Sequence, residues 1–248
     1  MTDPSTLAAI AATFVLAGMV KGVIGLGLPT IALAVLTALI GLTEAMALMI
    51  VPSFATNLWQ ATAGGNGRVL VQRLWPFLMA STLAVWFGAL ALTRVDLALL
   101  AAFLGVIVVI YAALGLTRPN FTLAPRHEPW LGPVLGVVNG IFTGMTGSFV
   151  MPGVPYLQAL GLPRDMLIQA MGMLFCTLTL ALAVALGGNE LITLELGGLS
   201  AVGLVPALLG MALGQRLRRR LSEALFRRLF FLSLLVLGAY IVVQALMR

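Results

Sequence analysis

The chain has 248 residues, 61% of them hydrophobic and 9% charged, with a mean hydropathy of +1.10. A soluble domain of this size has no use for so much apolar surface, whereas a polytopic membrane protein does. The formal net charge is +6. The basic residues sort by loop rather than gathering in one patch, so the expected partner is the lipid bilayer and not nucleic acid.

Uncharged runs recur at 22–43, 45–67, 74–93, 97–117, 129–163, 166–189, 196–215 and 229–247. Most are about 20 residues, the length that carries a helix across roughly 30 Å of hydrocarbon. Period-2 alternation is absent, which excludes a β-barrel and predicts an all-α polytopic integral membrane protein. Asp3 and the lack of a basic stretch before the first apolar run argue against a cleaved signal peptide.

In chain order, the pattern predicts two short helices over 6–20 and 29–40, then long helices over 45–63, 74–92 and 97–116. A polar linker at 119–129 follows, with Pro119, Asn120, Pro125, Arg126 and His127. The second half then repeats the plan. Short helices are expected over 131–142 and 150–160, and long ones over 165–186, 195–215 and 223–246. The expected organisation is a first transmembrane repeat at 1–118, a cytoplasmic linker at 119–129 and a second repeat at 130–248.

Lys21 is the only charge between Asp3 and Glu44, and it opens the run Lys21-Gly-Val-Ile-Gly-Leu-Gly-Leu-Pro29. A cation at membrane depth costs about 2.5–3.5 kcal/mol on insertion scales, so it needs a partner or a task. Glycines 22, 25 and 27 let the backbone leave helical geometry, and a helix restarting near Pro29 turns its unsatisfied N–H groups toward the gap. Such an end attracts anions. The alternative for Lys21 is snorkelling to a membrane surface. For the glycines, the alternative is close packing of helices through small residues.

The run is echoed by Asn139-Gly-Ile-Phe-Thr-Gly-Met-Thr-Gly147, if two single-residue insertions are allowed. Glycines 140, 144 and 147 repeat the first cluster, and Asn139, Thr143, Thr146 and Ser148 add amide and hydroxyl groups. Thr30 adds one in the first half. Ser53, Asn57 and Gln60 share a helix face, with Gln169, Cys176 and Thr177 in the matching stretch of the second half. These are candidate ligand contacts, or else hydrogen bonds between helices.

Loop charge sets the expected topology. If each pair of short helices returns to its starting side, eleven arginines lie on one side: 68, 73, 118, 126, 164, 216, 218, 219, 220, 227 and 228. Only Arg94 and Arg248 lie on the other. The basic side is then cytoplasmic and both termini face the periplasm. Each half crosses an odd number of times, so the two five-helix repeats are inverted relative to each other, a transporter plan. The arginines at 216–220 with Arg227 and Arg228 serve as a topology anchor or bind anionic headgroups. The carboxylates all fall at predicted helix ends or loops, so the usual proton-relay group of a pump is missing. No phosphate loop, zinc-binding or nucleophile-elbow motif is present, so an enzyme is not expected, nor a cofactor or metal.

The pattern from Gly18 to Pro29, its recurrence over 140–152 and the long helix after each resemble the TauE/SafE family of sulfite exporters. These are small bacterial inner-membrane permeases. The resemblance implies outward movement of sulfite, sulfoacetate or other small organosulfonates or carboxylates. It also implies that Gly22, Gly25, Gly27, Gly140, Gly144 and Gly147 line the pathway. The chain departs from the family pattern where Leu26 and Leu28 interrupt the first glycine run, and where Thr146-Gly147-Ser148 stands in place of glycines. The expected function is thus a secondary transporter that exports a small anion, sulfite or an organosulfonate, bound between two midplane Gly-rich breaks. A homo-oligomer is compatible with this reading. The alternative is a non-transporting membrane scaffold or a subunit of a membrane enzyme complex.

Overall fold

A computed structural model describes residues 3–117, 122–218 and 222–247. Arg118, linker residues 119–121, Arg219, Arg220 and Arg248 lie outside the described residues, as do the side chains of Arg218 and Glu223. The described residues form ten α-helices and no strand: α1 (Pro4–Ile24), α2 (Leu28–Ile40), α3 (Leu42–Thr62), α4 (Gly67–Ala89), α5 (Leu97–Thr117), α6 (Glu128–Thr146), α7 (Gly153–Ala159), α8 (Arg164–Gly188), α9 (Leu194–Arg218) and α10 (Glu223–Leu246). Six are long and apolar enough to cross a bilayer: α1, α4, α5, α8, α9 and α10. The all-α polytopic membrane class is therefore shown.

Two of the expected short helices are long. α1 runs to Ile24 and α6 to Thr146, so Gly22, Gly140 and Gly144 lie inside helices rather than at their ends. The reason is packing. Glycine weakens an isolated helix, but a helix without a side chain on one face can approach a neighbour closely, and in lipid that approach drives association.

The chain divides into two compact units that do not follow the sequence halves. The first takes Met1–Pro52, Leu97–Arg118 and Ile192–Arg248; the second takes Ser53–Asp96 and Pro119–Leu191. In the first unit α1 packs parallel to α9. A Cβ built on Gly18 would lie 2.1 Å from the Ala207 carbonyl oxygen, and one on Gly22 would lie 2.3 Å from that of Met211. Gly210 and Gly214 of α9 return the fit against the carbonyls of Val15 and Met19. α5 and α10 pack antiparallel in the same unit, with Gly105 against Gly238 and Gly115 against the Phe231 ring. α2 lies against α1, α5 and α10.

In the second unit α6 packs parallel to α4 in the same manner. Gly136, Gly140 and Gly144 face the carbonyls of Phe77, Ser81 and Val85, and Gly88 of α4 faces that of Ile141. At one end Arg73 makes a two-pronged bond to Glu128, at 2.9 and 2.6 Å. α8 packs on α4, α6 and α7.

Two polar devices hold these units. Pro52 interrupts α3, so the Leu48 carbonyl loses the N–H that would normally meet it. Ser200 of α9 fills the gap: its hydroxyl donates to Leu48 O at 2.8 Å and accepts from Val51 N–H at 3.1 Å. In the second unit Gln60 donates to Ile168 O at 2.9 Å, and Gln169 donates to Ala61 O at 2.8 Å and accepts from Asn66 N–H at 3.0 Å. This reciprocal clasp lies where Gly172 brings α8 against the backbone of Gln60 and Ala61.

Candidate functional site

The two glycine clusters share one local geometry. α1 ends at Gly25 with φ 82° and ψ 1°, and its N–H bonds to Lys21 O at 2.8 Å. α6 ends at Gly147 with φ 73° and ψ 1°, and its N–H bonds to Thr143 O at 2.7 Å. Left-handed backbone of this kind costs an L-residue with a Cβ about 1–2 kcal/mol, which is why glycine ends both helices. The register that superposes the caps has no insertions. Gly18, Lys21, Gly22 and Gly25 match Gly140, Thr143, Gly144 and Gly147. Lys21 therefore corresponds to Thr143, and the gapped pairing expected from sequence is replaced.

In the first break, Lys21 sits in the last turn of α1 with 5% of its surface exposed. A cation at a helix C-terminus faces the negative end of the helix dipole, which offsets part of its burial cost. Gly27, at φ 108°, starts α2, and Thr30 is buried in the first turn of that helix. Gly22 turns to α9 and not to the break. Its neighbour Met211 lies seven residues before the end of α9, about 10 Å along the axis. Lys21 is thus nearer the C-terminal end of this helix pair than its middle.

In the second break the polar groups largely satisfy the chain itself. Asn139 Oδ1 accepts from Gly153 N–H at 2.8 Å. Thr143 donates to Ser148 O at 3.0 Å. Thr146 donates to Phe142 O at 2.7 Å and accepts from Ser148 N–H at 3.2 Å. Gly140 and Gly144 turn to α4. Among the described residues of this unit, Asn139 Nδ2 and the hydroxyls of Ser53 and Ser81 are buried with no hydrogen-bond partner. Asn57 is fully buried on α3, and Gln60 belongs to the clasp with α8.

The fourteen residues expected at the site thus divide by role. Lys21, Gly25, Gly27 and Thr30 gather at the first break, and Asn139, Thr143, Thr146, Gly147 and Ser148 at the second. Gly22, Gly140 and Gly144 have helix-packing contacts, Gln60 a helix-clasping one, and Asn57 is buried on α3. Ser81 and Ser200 were not singled out in the sequence. Each is a lone serine in an apolar run, and nothing local marks it.

A family model described as Sulfite exporter TauE/SafE matches residues 10–241, nearly the whole chain. The chain belongs to that family. TauE/SafE proteins are membrane transporters rather than enzymes, so this chain is a multi-pass transport protein whose surroundings are a bilayer and a small anion. No curated protein and no solved structure matches it.

Proposed function

We propose that this protein is a secondary transporter that exports sulfite or a small organosulfonate, with Lys21 supplying the charge that the anion meets. The observation carrying the reading is a buried lysine in the last turn before a glycine break, in a chain of the sulfite exporter family. The break frees backbone N–H groups at the start of α2, and an anion is their natural partner. At the second break Asn139 Nδ2 is a neutral donor buried without a partner.

Helix direction supports the expected topology. α1, α5 and α9 run one way in the first unit and α10 the other, which brings the C-terminal ends of α5 and α9 and the start of α10 to one side. That side carries Arg216, Arg227 and Arg228, and the positive-inside rule makes it cytoplasmic, in a bacterial inner membrane with both termini periplasmic. The pairing also supports inverted repeats. Exchanging the halves turns the α1–α9 pair into the α6–α4 pair and maps the α5–α10 pair onto itself.

An inside-negative potential drives a monovalent anion outward by about 2.3 kcal/mol per 100 mV, roughly a fiftyfold gradient, so no buried carboxylate is needed for coupling. The test is sulfite efflux from proteoliposomes at a set potential. Potential-driven efflux that collapses in Lys21→Ala and partly survives in Lys21→Arg is the expected result. Efflux indifferent to Lys21→Ala removes Lys21 from the pathway. Absence of efflux for sulfite, sulfonates and carboxylates alike favours the scaffold reading.

A further inference from the structure

At the end of the antiparallel α5–α10 pair lies a cleft of about 480 Å³, lined by Gly115, Leu116, Ala224, Arg227, Arg228 and Leu232. We infer that this cleft holds the headgroup of an anionic phospholipid, with a phosphodiester at Arg227 and Arg228 and an acyl chain running over Leu232. No residue of the two glycine breaks lines this cleft.

Three observations carry the assignment. The first is charge placed at a helix end. Arg227 and Arg228 lie in the first two turns of α10, whose N-terminus adds a positive dipole end capped by Ser222. Planar guanidinium groups suit phosphate oxygens because they offer parallel donors. The second is that Arg227 is held in place. It donates to Gly115 O at 3.4 Å, and its guanidinium lies 5.9 Å from the centre of the Phe231 ring. Gly115 allows this arrangement, since a Cβ there would lie 2.2 Å from the ring. Arg228, by contrast, is exposed at the rim. The third is the change in surface along the helix. Leu225, Leu229, Leu232 and Val236 are all exposed, and Val236 is 70% so. The cleft thus passes from arginines to bare apolar surface over about 6 Å, from Arg228 to Leu232, which is the step from headgroup to acyl chain.

Free phosphate would satisfy the arginines but not the apolar floor. A zwitterionic lipid would cover the floor but gain little from the arginines. An anionic phospholipid does both. Each arginine near a membrane surface favours an anionic lipid by about fivefold.

The test is native mass spectrometry of the full chain in detergent, offered phosphatidylglycerol and phosphatidylethanolamine in equal amounts. Wild type should retain phosphatidylglycerol in preference, by up to about thirtyfold for two arginines. Arg228→Gln should cut that ratio about fivefold, and the double change with Arg227→Gln should remove it. Leu232→Ala should reduce retention of both lipids without changing the ratio. If Arg227→Gln does not fold, Arg228→Gln decides alone, because its side chain is exposed. Arg216→Gln, on α9 and outside the cleft, should leave the ratio as in wild type. Equal loss in Arg216→Gln would mean general surface charge and would overturn the site. Displacement of the lipid by glycerol phosphate or inorganic phosphate at equal concentration would make it a free-anion pocket and overturn it too. An unchanged ratio in Arg228→Gln would do the same.

Discussion

Gly140→Ala separates the two meanings that a glycine has in this chain. Its Cβ would lie 2.1 Å from the Ser81 carbonyl oxygen and 2.7 Å from Ala84 Cβ. Ordinary contact begins near 3.4 Å, so α6 must retreat from α4 by roughly 1.3 Å, or Ser81 must move with its helix. The obstructing atom is backbone and cannot rotate away. Overpacking of this kind costs about 1–3 kcal/mol, and a rigid neighbour puts it at the upper end. For a chain of this size that is a fall of roughly 5–10 °C in melting temperature. The assay is thermal unfolding of purified protein in detergent, with efflux measured per folded molecule. Gly187→Ala is the control, because nothing lies within 4 Å of its Cβ, and it should melt with wild type. Gly22→Ala, 2.3 Å from the Met211 oxygen, should behave like Gly140→Ala. A Gly140→Ala protein that melts with wild type yet loses efflux would refute the packing argument and return Gly140 to the ion.

Other expectations follow from the buried polar devices. Ser200→Ala leaves Leu48 O and Val51 N–H without their partner and should cost about 1–3 kcal/mol in thermal or denaturant unfolding. Adding Pro52→Ala restores an N–H for Leu48 O, so the double variant should be more stable than Ser200→Ala alone; strict additivity would refute the repair. Gln169→Leu removes the hydrogen bonds to Ala61 O and from Asn66 N–H and should cost about 1–3 kcal/mol in the same unfolding assay. Arg73→Lys loses the two-pronged geometry but sits at a partly exposed pair, so less than about 1 kcal/mol should be lost.

Much of the fold was legible because apolar length is a one-dimensional property. The spans α4, α5, α8, α9 and α10 lie where uncharged runs predicted them. α1 and α6 came out longer than expected for a definite reason. Sequence shows that Gly18, Gly22, Gly140 and Gly144 are glycines, but only the partner helix shows that they face α9 and α4. A glycine that ends a helix and a glycine that lets another helix in look alike in one dimension. Gly25 and Gly147 are of the first kind and Gly22 and Gly144 of the second, though they are three residues apart. Ser200 was illegible because its meaning depends on Pro52, 148 residues earlier. Lys21 was legible because a lone charge in an apolar run has few explanations.

The ungapped register between the two breaks gives the sharpest comparison. Backbone, caps and glycine faces agree at both, and the residue before Gly22 and Gly144 differs: Lys21 in one, Thr143 in the other. Of the five side chains that differ between the glycines, only this one exchanges a buried charge for a neutral hydroxyl, and that exchange is where the two breaks diverge in charge. Thr143 spends its hydroxyl on Ser148 O, which closes the loop after the break. Thr143→Val should therefore cost about 1 kcal/mol, the net worth of one hydrogen bond, and lower efflux only as far as folding is impaired. Lys21→Ala should do the reverse, abolishing potential-driven efflux whatever its melting temperature. The comparison is unfolding and efflux measured on the same two preparations. If Thr143→Val keeps the wild-type melt and loses efflux as fully as Lys21→Ala, both breaks contact the ion equally. The assignment of charge recognition to Lys21 would then fall.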